Sequence, residues 1–148
     1  MTKTNSLLIT IALILIVLIH LYIGHYFAPN GIDLLPLTMI LITVIIFQFT
    51  SYKIYIKCLI AALLFLSLDI GLKLYAGGSH DYEALDWINA FYFIGIIPSL
   101  IIIFYKVYKN TEVSLRTKIL IVVLSLVFLY FQNDLFGTLG VGRFYPIN

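Results

Sequence analysis

In this chain of 148 residues, 62% are hydrophobic and only 11% charged, against roughly 45 to 50% and 25% in a soluble domain. A water-soluble fold of this size exposes too much of its area to hide that apolar excess, so lipid is the expected solvent for most of it. The net charge of +2 comes without any basic run interleaved with aromatics, which argues against nucleic acid, and the single cysteine, Cys58, excludes an intrachain disulfide or a cysteine-rich metal site.

A hydrocarbon core about 30 Å thick takes about 20 apolar helical residues, because every backbone amide must be satisfied within the segment. Five stretches approach that length, at about 7–28, 34–50, 54–76, 87–106 and 117–136. The expected fold is all-α: a polytopic integral membrane helix bundle, five transmembrane helices in one domain over 1–148.

In the first stretch, Lys3 precedes an apolar run to Ile19, a pattern shared with signal peptides. The run resumes after His20, however, and Tyr26 and Phe27 precede Ala28 where small residues would mark a cleavage site, so a retained helix is expected. Pro29, Asn30 and Gly31 predict a tight turn. Asp33 is then placed to accept from the free amides of the second helix, with Pro36 in its tolerant first turn.

The third stretch contains Asp69 about four residues from its middle and Lys73 one turn further along. A carboxylate at that depth costs about 2.5 kcal/mol or more on insertion scales, so it should face protein or water. Two readings follow: an i, i+4 pair that locks the helix into the bundle, with the Lys73 stem reaching toward the headgroups, or a cation or proton site. Gly77 and Gly78 predict the end of this helix, and Asp86 a cap for the fourth.

Pro98 interrupts the fourth stretch near its middle and predicts a kink. Gly95 and Ser99 beside it form a small-xxx-small pair that lets another backbone approach. The fifth stretch is strictly apolar only from Ile119 to Phe131. Gln132, Asn133 and Asp134 follow; three consecutive helical residues cannot share one groove, so the helix is expected to be leaving the hydrocarbon there, with interhelical bonding the less favoured reading.

Orientation follows from the basic residues, which resist translocation. One side of the five-pass layout holds Lys3, Lys53, Lys57, Lys106, Lys109, Arg116 and Lys118; the other holds only Lys73 and Arg143. Seven against two predicts the N-terminus inside and the C-terminus outside. Tyr52, Tyr55, Tyr105 and Tyr108 then mark the inner interface, and Tyr22, Tyr26, Tyr75, Tyr82, Trp87 and Tyr130 the outer one.

The candidate functional face is the outer polar one: Asp69, Lys73, His20, His25, His80 and Asp134, with Pro98 as a candidate kink. His20 and His25 are five residues apart and so point about 140° away from each other, unlike i, i+4 zinc ligands. Ser79, His80 and Asp81 are contiguous and diverge, unlike a hydrolase triad. Cys58 belongs to the inner side and the histidines to the outer, so they cannot pair as nucleophile and base. No phosphate loop, dinucleotide fingerprint or zinc-helix motif is present.

Three function classes remain open. The first is a non-enzymatic accessory, assembly or immunity-type subunit acting through helix packing and its outer polar face. The second is a small oligomeric cation- or proton-coupled transporter or channel using Asp69, and the third a membrane-embedded metal-dependent enzyme. No cofactor is expected. The expected partners are the lipid bilayer and another membrane protein or a second copy of the chain, in a bacterial cytoplasmic membrane.

Overall fold

The structure, a computed structural model, describes residues 3–76 and 82–141. Its elements are α1 (Lys3–Tyr26), α2 (Ala28–Asp33), α3 (Leu35–Phe49), α4 (Ile54–Tyr75), α5 (Tyr82–Lys109) and α6 (Leu115–Phe136). Among the described residues five helices are long and apolar enough to cross a membrane, α2 contributing to the second of them. Many large side chains on their outward faces, from Leu7 on α1 to Leu135 on α6, are exposed. A water-soluble surface does not carry apolar patches on that scale.

The connection between α1 and α3 differs from the expected tight turn. Pro29 stands in the first turn of α2, where its missing amide costs nothing, and Phe27 alone breaks the helix at φ −132°, ψ 58°. Helical bonds then continue, Gly31 to the Phe27 carbonyl at 3.1 Å and Leu34 to that of Asn30 at 3.1 Å. Asp33 ends α2 and caps nothing, since Leu34 is the residue preceding α3 and no side chain caps that helix. Pro36 does lie in the first turn of α3. The short α2 folds against α1 because Gly31 meets the Gly24 backbone, leaving no space there for a Cβ, while Gly24 in turn faces the Leu72 side chain of α4.

α5 begins at Tyr82, a full turn before the expected start, so Asp86 is an exposed residue of its second turn and not a cap. Glu83 and Asp86 still suit the positive end of the helix dipole. α5 remains helical through Pro98. The expected close approach at Gly95 is made within the chain: Pro36 Cα lies 2.7 Å and Met39 Sδ 2.8 Å from where a Cβ would stand, so α5 packs on α3. Gly77 and Gly78 lie outside the described residues.

The core is continuous from Leu13 and Val17 of α1 through Met39, Ile42 and Ile46 of α3 to Phe65 and Leu68 of α4 and Ile96 and Ile103 of α5. α3 is the central element and α6 the peripheral one, with 44% and 11% of their spans buried. α6 contributes only Ile121 and Gln132 to the buried set. Between α4, α5 and α6 there is an apolar groove of about 550 Å³.

Candidate functional site

Helix geometry brings one tier of polar side chains to a common depth. Counting from the lysine-rich ends, Asp69 is 15 residues into α4 (54 to 69), and His20, Tyr92 and Gln132 are each 17 residues into α1, α5 and α6 (3 to 20, 109 to 92, 115 to 132). At 1.5 Å per residue, all four lie about 22 to 26 Å from those ends.

Asp69 and Lys73 form the expected i, i+4 pair. The ammonium Nζ lies 2.8 Å from Oδ1 and donates to Oδ2 at 3.0 Å, with the two side chains only 1% and 3% exposed. Lys73 therefore does not reach outward to the headgroups. Its stem turns back one turn, because an ammonium in a low-dielectric interior gains more from a buried counter-ion than a partly hydrated position offers.

Gln132 completes the arrangement from α6. Its Nε2 donates to Asp69 Oδ2 at 2.9 Å, and its Oε1 accepts from the Tyr92 hydroxyl of α5 at 2.8 Å. A carboxylate only accepts, so the amide orientation is dictated: nitrogen toward Asp69, oxygen toward the phenol. One glutamine thus ties α6 to both α4 and α5. Asn89 Nδ2 adds a bond to the Gly137 carbonyl at 3.2 Å, just past the end of α6.

The fifth stretch is corrected accordingly. Gln132 is buried and bonded across helices, while Asn133 and Asp134 are exposed, so the helix turns one of its three consecutive polar residues inward and the interhelical reading holds for that one. Beside the pair is a cavity of about 10 Å³ bordered by Asn89, Tyr92, Gln132 and Asn133. That is room for about one water.

The remaining candidates are placed elsewhere. His20 is buried and shares a 2.9 Å hydrogen bond between its Nδ1 and Thr38 Oγ1 of α3; its Nε2 has no partner among the described residues. His25 donates from Nδ1 to the Tyr75 carbonyl at 2.7 Å, which fixes its tautomer and caps the C-terminal end of α4. His80 lies outside the described residues, as does Arg143. Asp69, His20, His25 and Asp134 do not converge on one cavity. Among the described residues no three His, Cys, Asp or Glu side chains come together as metal ligands.

Tyr92 was missed in the sequence, although a signal was present. It is a tyrosine well inside an apolar span and away from either interface, and a phenol there needs a hydrogen-bond partner. Lys57 was missed as well: its Nζ donates to the Thr50 carbonyl at 2.7 Å and the Phe47 carbonyl at 3.3 Å, capping α3.

No protein-family model, curated protein or solved structure matches this chain, which leaves its function to be read from its own residues.

Proposed function

We propose that the chain is a non-catalytic membrane module of the accessory, assembly or immunity type, working through helix packing, with its lysine-rich turns on the cytoplasmic side. One observation carries this reading. The residue best suited to chemistry, Asp69, is occupied by this chain's own Lys73 and Gln132, with room for about one water beside it. Such an arrangement suits fixing α6 in place and not passing a solute. The sparse burial of α6 supports the same reading, since its outward apolar face is available to another membrane protein or a second copy.

The test uses a photo-reactive residue at Leu126, exposed on α6. Irradiation in native membranes is expected to give one discrete cross-linked product, either a protein partner or a dimer. A ladder of weak products, or none, would remove the reading.

A second reading, a small oligomeric cation- or proton-coupled transporter or channel, draws support from the polar cavity beside Asp69. It requires that Asp69→Asn abolish flux in proteoliposomes while the fold survives. Flux that persists in the variant disposes of it.

A further inference from the structure

The groove between α4, α5 and α6 is chemically uneven along its length. Its walls are apolar from Tyr55 to Phe65 on α4 and from Ile121 to Phe131 on α6. Ten helical residues rise about 15 Å, half of a hydrocarbon core about 30 Å thick. The groove therefore runs the depth of one leaflet, starting at the lysine-rich end of the bundle.

Just beyond its far end, at Phe131, the Gln132 amide bridges α6 to Asp69 and Tyr92. A transmembrane helix lying in the groove would need the full thickness and would have to displace that bridge. An acyl chain from one leaflet needs neither.

The near end is positive. Lys106 follows Ile103 of the groove wall by one turn of α5, and Lys118 precedes Ile121 by one turn of α6. Lys118 Nζ donates to the Tyr108 carbonyl at 2.7 Å, which holds that ammonium between the two helices. Among the described residues no carboxylate pairs with Lys106, and the Lys57 ammonium is within electrostatic reach of it. Uncompensated positive charge above an apolar slot one leaflet deep is complementary to an amphiphile with an anionic head.

We propose that this groove binds an anionic phospholipid of the leaflet on the lysine-rich side, with one acyl chain between α4, α5 and α6 and the phosphate at Lys106 and Lys118. The assignment rests on the five helices spanning a bilayer and is independent of any protein partner.

Native mass spectrometry of the full chain in mild detergent tests it, with phosphatidylglycerol and phosphatidylcholine added in parallel after delipidation. One phosphatidylglycerol adduct is expected to persist at collision energies that strip phosphatidylcholine. Lys106→Gln should reduce that preference about fivefold. Ala62→Phe, which fills the slot from α4, should abolish the adduct with the melting temperature in detergent preserved; Ser125→Phe fills it from α6 if the first variant does not fold. Equal retention of the two lipids, or an adduct unaffected by both slot-filling variants, would overturn the proposal. So would a detergent-stable dimer that forms as the lipid is lost, since a second copy would then be the occupant.

Discussion

At the scale of single residues, the buried ion pair is where stability is most exposed. Asp69→Leu strands the Lys73 ammonium without a counter-ion, and breaking a buried pair in this way costs about 3 to 5 kcal/mol. The double variant Asp69→Leu with Lys73→Met removes both charges and should recover most of that loss in a detergent melting experiment. A double variant as unstable as the single one would mean that the pair is not what matters at this position. Gln132→Leu should cost less, about 0.6 to 2 kcal/mol, because interhelical side-chain bonds in lipid are worth about that and the Asp69–Lys73 pair stays intact. The Asp69–Lys73 contact was legible in the sequence, since i, i+4 spacing alone brings two side chains together. The contacts of Gln132 and Tyr92 were not. They join positions 40 and 63 residues apart, and which face α6 turns inward depends on packing that its nearly uniform apolar sequence does not encode.

At the scale of helices and their ends, the five long elements could be located from apolar length alone, but their terminations could not. Proline and glycine after Ala28 read as a turn, yet proline is tolerated in the first turn of a helix and glycine lets two backbones touch, so the same letters also build α2. Gly31→Ala sets a methyl against the Gly24 backbone and should destabilise the protein by about 1 to 3 kcal/mol. A melting temperature equal to that of the unmodified chain would show that α2 moves freely away from α1. Capping by long cationic side chains was likewise hidden. Lys57 closes α3 and Lys118 closes α5 by reaching back across the connecting turn to carbonyls 7 and 10 residues earlier. Both cap helix C-termini, where positive charge opposes the helix dipole.

For the whole molecule, that capping gives lysine a second reason to collect at one end of the bundle. α3 and α5 both finish there, and each takes a lysine at its exposed carbonyls, whereas α4 finishes at the opposite end and takes His25. The basic asymmetry thus has a source in helix chemistry, which agrees in sign with the orientation proposed from resistance to translocation. Reporter fusions should place the turn from Lys106 to Lys118 in the cytoplasm and the C-terminal tail across the membrane from it. A shared compartment for both would overturn the five-pass layout. The placement of the polar groups was the part least visible beforehand, because the sequence shows which residues are polar but not which pairs consume one another.

The pairing of Asp69 with a lysine on its own helix also bears on how the protein is made. In the proposed membrane layout α4 is synthesised well before α6, so the glutamine that completes the arrangement does not yet exist when α4 would enter the bilayer. A counter-ion carried four residues away travels with the carboxylate from the start, so under that layout the segment would partition into lipid as a neutral unit before its last partner, Gln132, arrives.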